Sequence, residues 1–163
     1  MKKINISTPT HPDTFALVDN IEYIELNAHK WYAHEEPNGN LYAVRVVRVD
    51  GKQTNLMMHT AIMGKIDGKE IDHRNRITLD NQRHNLRHCT HAENQRNTGM
   101  YRNNTSGYKG VCWHKGANKW RAKIKCNGKT IHLGLFFCII KAAKCYDEGA
   151  KKYHGEFANL NFT

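Results

Sequence analysis

Residues 70–97 read EIDHRNRITLDNQRHNLRHCTHAENQRN, and the parsing of this stretch decides the architecture around it. Glu70, Ile71, Asp72 and His73 read as a short strand, Arg74 to His84 as a polar loop, Leu86 to Thr90 as a second short strand, and His91 to Asn97 as a helix with Thr90 as its N-cap. Strand, loop, strand, helix is the order expected. Four histidines, four carboxylates and several amides fall on it within a short span.

Working outward, Phe15 to Val18 is a short apolar run, and Leu41 to Val49 sets Tyr42, Val44 and Val46 against Arg45 and Val47. The chain then turns at Asp50-Gly51 and returns through Thr54 to Met57, a hairpin signal. Residues 1 to 57 are therefore expected to form a small β-rich platform, followed by one helical turn at Met58 to Met63. On the other side, Gly99 to Ser106 has the composition of a linker. Beyond it, Tyr108 to His114, Trp120 to Cys126 and Thr130 to Phe136 read as strands, the last two joined by the favoured hairpin turn Asn127-Gly128. Ile139 to Tyr153 reads as a helix with Ala142, Ala143, Tyr146 and Ala150 along its apolar stripe.

The 163 residues carry a formal charge of +10 and a pI near 9.5, which suits a polyanionic partner, because bound lysines and arginines release condensed counterions. From Asn94 to Tyr146 there is no Asp or Glu, while eleven Lys and Arg fall within. A salt-bridged solvated face would not be so one-sided. The five cysteines, at 89, 112, 126, 138 and 145, form no C-x-x-C pair and leave one over, so neither a disulfide framework nor a zinc knuckle is indicated. No stretch approaches the length of an apolar membrane span, and the charged start lacks the apolar region of a signal peptide, so no membrane association is expected. The expected location is the cytoplasm, or the nucleoid of a host cell if the chain is phage-encoded.

The segments Glu70-Ile71-Asp72-His73, Leu79 to Arg87 and Glu93 to Asn97 resemble the HNH nuclease family, in particular phage-encoded homing endonucleases, strongly over about residues 56 to 98. The resemblance implies a two-stranded ribbon and a helix around one divalent metal. It further implies Asp72 as metal ligand, His73 as general base on water, Asn85 as the residue that orients His73, and Asn94 as second metal ligand. Many relatives carry His where this chain has Asn94, and His91, three residues earlier on the same helix face, is the substitute ligand to weigh.

Chemistry supports those residue types. An imidazole can take a proton from water near neutral pH without being permanently charged, provided its other ring nitrogen is held in the right tautomer. An amide oxygen can do that without adding charge. One carboxylate and one amide oxygen leave positions for water and phosphate, as magnesium prefers, with manganese as an alternative. His59, His84 and His88 read as structural or phosphate-contacting. Among Arg74, Arg76, Arg83 and Arg87, which flank the motif, Arg74 and Arg87 are the candidate phosphate contacts.

Ser106 to Val111, Lys119 to Ile124, Ile131 to Gly134, Ala142 to Asp147 and Phe157 to Phe162 resemble an AP2 domain over about residues 105 to 162. That family lays a three-stranded sheet in the DNA major groove. The resemblance places Lys109, Cys112, His114, Arg121, Lys123, Lys125, Thr130 and His132 on the groove side. Alternation agrees, turning Trp120, Ala122 and Ile124 to the helix and Arg121, Lys123 and Lys125 away from it. Trp113 and Trp120 are read as core.

The expected fold class is α+β: an N-terminal β-hairpin platform and ββα-metal HNH core over 1–98, a linker at 99–106, and a three-stranded antiparallel sheet on one helix, AP2-like, over 107–163. The expected function is a site-preferring endonuclease acting on double-stranded DNA with one Mg2+ or Mn2+, from a phage or mobile element, working as a monomer. The alternative is a non-catalytic DNA-binding regulator with an inactive HNH scaffold. RNA is the less favoured substrate, since its major groove is too narrow for a groove-reading sheet.

Overall fold

The computed structural model describes residues 1–162, in a mixed α and β fold with four small antiparallel sheets and four α-helices among them. The chain divides into two units, the first Met1–Thr90 and the second beginning at His91.

In the first unit, β1 (Lys2–Asn5) pairs with β2 (Phe15–Val18), and α1 (Asn20–Asn27) follows. A second sheet has the order β3 (Tyr32–Glu35), β4 (Leu41–Val49), β5 (Lys52–Met57), with the hairpin turn at Asp50-Gly51 where the sequence placed it. α2 (Met58–Met63) leads to a ribbon of β6 (Glu70–His73) and β7 (Leu86–Cys89). One core joins these parts, with Ile4, Ile6, Val18, Trp31, Met58 and Leu86 all buried in it. Trp31 also donates its indole N–H to the Leu26 carbonyl at 2.8 Å.

Three of these elements were not expected. β1 and β3 are only four residues long, and burial of Ile4 at about 2 kcal/mol outweighs the weak preference of so short a polar strand. α1 leaves Ile21 and Ile24 exposed, so its apolar residues do not mark its buried face.

The loop between β6 and β7 is fastened to the sheet of β1 and β2. Leu17 donates its N–H to Leu79 and accepts from the N–H of Asn81, both at 2.8 Å, so Leu17 and Asp80 form a parallel bridge. That tether positions Asn81.

In the second unit, α3 (His91–Asn97) precedes a sheet of order β10 (Lys129–Phe136), β9 (Lys119–Cys126), β8 (Val111–His114). α4 (Ile139–His154) covers one face, with Ala122 and Ile124 of β9 buried against its Ala142, Ala143, Tyr146 and Ala150. The Asn127-Gly128 turn has φ of 50° and 76°, the left-handed pair of a two-residue hairpin. At Gly110, also at positive φ, a Cβ would lie 2.0 Å from the Tyr146 ring, so only glycine fits.

The division at Thr90 differs from the expected boundary at 98. α3 and the stretch expected as a linker fold within the second unit: Lys109 Nζ donates to the carbonyls of Arg96, at 2.8 Å, and Thr98, and Asn159 donates to Thr98 at 2.8 Å. Asn104 and Ser106 then build a turn, the Ser106 hydroxyl reaching the Val111 carbonyl at 2.8 Å. Trp120 packs into the core as read, whereas Trp113, edge-on to it at 5.1 Å, is 45% exposed.

Candidate active site

The β6–β7 register sets Asp72 opposite Arg87 and His73 opposite Leu86. Asp72, His73, Asn85 and Arg87 are all buried, as is Asn81 in the intervening loop. The His73 Nε2 faces the Asn81 amide oxygen at 3.2 Å, and the Asn81 nitrogen lies against the Met58 sulfur at 3.7 Å. That second contact fixes which end of the amide meets the ring. Because the amide oxygen can only accept, Nε2 carries the proton, and Nδ1 is the nitrogen with the lone pair, the form a general base needs.

Burial holds the His73 pKa below its ordinary 6.5, opposed by the hydrogen bond to Asn81 and by Asp72 and Asp80. The ring stands edge-on to His59, centroids 5.2 Å apart, and Tyr42 lies 5.8 Å from His59. His59 is driven further, down to about 4, by burial and then by His73. A neutral ring at physiological pH suits the structural one of the two roles read for it, structural or phosphate-contacting.

Both depressed values have a consequence for stability. An imidazole with a lowered folded pKa stabilises the fold above its unfolded pKa, and that stability is lost as pH falls through the folded value. For His59 the window runs from 6.5 down to about 4. We expect urea unfolding of the full chain to lose on the order of 3 kcal/mol more than His59→Phe across that window. A parallel pH dependence in the two proteins would exclude His59 as the cause.

The partner of His73 was expected to be Asn85. Asn85 instead closes the loop: its side-chain oxygen accepts from the Asn75 N–H at 3.0 Å and its amide donates to the Asp80 carbonyl at 2.7 Å. Asn75 in turn donates to the Asp80 carboxylate at 2.7 Å. Asn81→Ala should therefore lower the cleavage rate about tenfold and shift its pH profile, while Asn85→Ala should act mainly through a lower unfolding midpoint. A pH profile moved by Asn85→Ala and not by Asn81→Ala would reverse these roles. No sequence signal marked Asn81, whose burial follows from the Leu17 bridge.

Arg87 does not present itself at the surface as a phosphate contact. Its Nε and a terminal nitrogen both donate to Asp72 Oδ2, at 2.9 and 2.7 Å, because the register puts the two residues face to face. Arg74, by contrast, is exposed at the start of the loop. Asn94, half-buried, and His91, exposed, lie on α3 in the second unit.

Among the described residues no group of three or more His, Cys, Asp or Glu side chains converges as a metal site. Of the two buried carboxylates near His73, Asp80 accepts from Asn75, and Asp72 suits a hard ion that keeps several waters and takes the rest of its shell from substrate phosphate.

In the second unit, Lys123, Lys125, Thr130 and His132 are exposed on the sheet face away from α4, in cross-strand pairs Lys123 with His132 and Lys125 with Thr130. Arg121 is half-buried, its guanidinium 3.5 Å from the Cys112 sulfur. Two candidates on this face have structural duties that alternation does not reveal. His114 accepts the Ala117 N–H at 3.1 Å and caps a turn, and Lys109 holds the carbonyls after α3.

Residues 56–96, which carry this buried imidazole beside a carboxylate on a ribbon closed by an amide-rich loop, match the model of the HNH endonuclease family. Over 93 residues, 57% of this chain and 76% of the relative, the chain is 32% identical to protein 3.8 of Escherichia phage T7, and it belongs to that protein's family. It is also 36% identical over 62 residues, 38% of its length, to the AP2-like ethylene-responsive transcription factor TOE2 of Arabidopsis thaliana and to APETALA2-like protein 2 of Oryza sativa. The chain spans only 13% and 14% of those plant relatives. No solved structure matches it. No helix among the described residues is long and apolar enough to cross a membrane.

Proposed function

We propose that this chain is an endonuclease that hydrolyses phosphodiester bonds of double-stranded DNA with one divalent metal, magnesium or manganese, in the manner of a phage or mobile-element homing endonuclease. The observation that carries the reading is the Asn81–His73 contact beside Asp72 in the matched HNH segment. His73 Nδ1 takes a proton from water as the water oxygen attacks phosphorus, and the bond to the 3′ oxygen breaks. Asp72, with Asn94 as its proposed companion, would hold the metal, which when bound would supply charge stabilisation at the phosphate. His91 is the alternative ligand on α3. Arg74 contacts backbone phosphate at the loop.

The second unit is proposed to be an AP2-like grip on DNA, using Arg121, Lys123, Lys125 and His132. Lys123→Ala should flatten the salt dependence of binding by about one unit of slope, and an unchanged slope would remove Lys123 from the phosphate contacts. The protein is proposed to act as a monomer in the cytoplasm or nucleoid of a host cell, so that its lone centre produces a nick.

Incubation with supercoiled plasmid and magnesium, with and without chelator, tests the reading. Chelator-sensitive conversion to open circles is the expected result. A non-catalytic regulator has one observation in its favour, the Arg87 guanidinium over Asp72 Oδ2. Tight duplex binding without cleavage at any magnesium or manganese concentration would establish it.

A further inference from the structure

A cavity of 350 Å3 in the second unit has been given no role so far, although Lys109, Lys123 and Lys125, which have roles above, border it. It opens where β8 has ended and the edge of β9 continues alone through Lys123, Ile124 and Lys125. The hairpin register makes Cys126 and Lys129 the closing pair, so Lys125 turns its backbone N–H and C=O away from β10, towards the cavity. The C=O is taken by His154 Nε2 at 2.9 Å.

The walls combine two kinds of surface. Tyr146, only 2% exposed, lies against Gly110 and forms an aromatic wall, with Val111 and Ile124 beside it and the exposed Tyr101 at the mouth. Arg96, Lys109, Lys123 and Lys125 also bound the space, and no Asp or Glu does. One buried polar group there lacks a partner, His154 Nδ1, on a residue only 7% exposed, while the Tyr146 hydroxyl has no hydrogen-bond partner among the described residues but is not sealed from solvent. Since Nε2 donates to the Lys125 carbonyl, Nδ1 is an acceptor awaiting a donor. Leaving such a group unmet is unfavourable, and a ligand that donates to it removes that penalty.

We propose that this cavity binds one nucleoside phosphate, either a free mononucleotide or a nucleotide turned out of a DNA strand. The base stacks on the exposed Tyr101 over the Tyr146 hydroxyl, an amino or hydroxyl hydrogen meets His154 Nδ1, and the phosphate lies among Arg96, Lys123 and Lys125. Stacking on aromatic rings tolerates any base, so the site reads an unpaired nucleotide as such and not its sequence. An apolar ligand would leave the cations without purpose, and inorganic phosphate would leave the aromatic wall without one.

Calorimetry with the full chain tests this using 2′-deoxyadenosine 5′-monophosphate, a blunt duplex, and the same duplex with one unpaired terminal adenosine nucleotide. Cleavage is not needed for the readout, so loss of the nuclease reading would leave the result interpretable. The monophosphate is expected to bind, and Tyr101→Ala, at an exposed position, should weaken it about tenfold. Tyr146→Phe, which removes a hydroxyl that no protein group uses, should weaken it while leaving the unfolding midpoint unchanged. Binding of the overhang over the blunt duplex, without the free monophosphate and again lost in Tyr101→Ala, supports the site and assigns its ligand to the strand. The proposal is overturned if neither the monophosphate nor the overhang gives heat beyond the blunt duplex, or if both variants bind as the parent does.

Discussion

Replacing His73 by alanine is expected to lower single-turnover cleavage by about two to four orders of magnitude with DNA affinity nearly unchanged, the usual worth of a positioned base. The ring reaches its role through one fixed tautomer, set by Asn81 and Met58, and through a pKa that burial keeps below 6.5. The parent protein's rate should accordingly fall off at a pH below 6.5, the ordinary histidine value. Ligand variants should behave differently. Asp72→Ala and Asn94→Ala should need more metal, and excess magnesium or manganese should relieve them partly. If excess metal rescued His73→Ala as well as Asn94→Ala, the base would be elsewhere. A heavier loss in His91→Ala than in Asn94→Ala would move the α3 ligand to His91.

Arg87→Ala is expected to destabilise the first unit by about 3–5 kcal/mol, the cost of leaving one partner of a buried ion pair in place. The side chains of Arg87 and Asp72 are 7% and 6% exposed, so solvent cannot take over the missing charge. A divalent cation can. Magnesium should therefore raise the unfolding midpoint of Arg87→Ala more than that of the parent protein, read by thermal denaturation without any DNA. A loss below about 1 kcal/mol would make the pair an ordinary surface bridge. Equal metal effects in the two proteins would argue against Asp72 as a metal ligand.

The parts of the fold legible in the sequence are those where period and turn chemistry agree. The β4–β5 hairpin, the β9–β10 hairpin with its Asn127-Gly128 turn, and α4 with its alanine and tyrosine stripe all lie within a residue or two of the positions read. α1 was hidden because Ile21 and Ile24 face solvent. The boundary at Thr90 was hidden because it depends on Lys109 and Asn159 reaching carbonyls far from them in sequence.

The same distinction runs through the candidate site. Asp72 and His73 announce themselves by adjacency on a strand. Which of two amides, Asn81 or Asn85, meets the ring is settled by a bridge to Leu17, some sixty residues away. Likewise, alternation along β9 correctly turns Lys123 and Lys125 outward, but says nothing of the lone pair on His114 that a neighbouring turn claims.

The Leu17 tether also changes what the loop between β6 and β7 is as a dynamic object. A segment with turns and bends, rich in Asn and Arg, would ordinarily surrender its amide hydrogens to solvent quickly. Here the Asn81 N–H is locked to a strand whose own neighbours, Ala16 and Val18, are fully buried. It opens when the loop parts from the edge of β2 opposite β1, so its exchange rate depends on how firmly the N-terminal sheet holds β2 in place. The amino terminus is then less an appendage than a clock spring for the site, and shortening it by a few residues would be felt first as motion at His73.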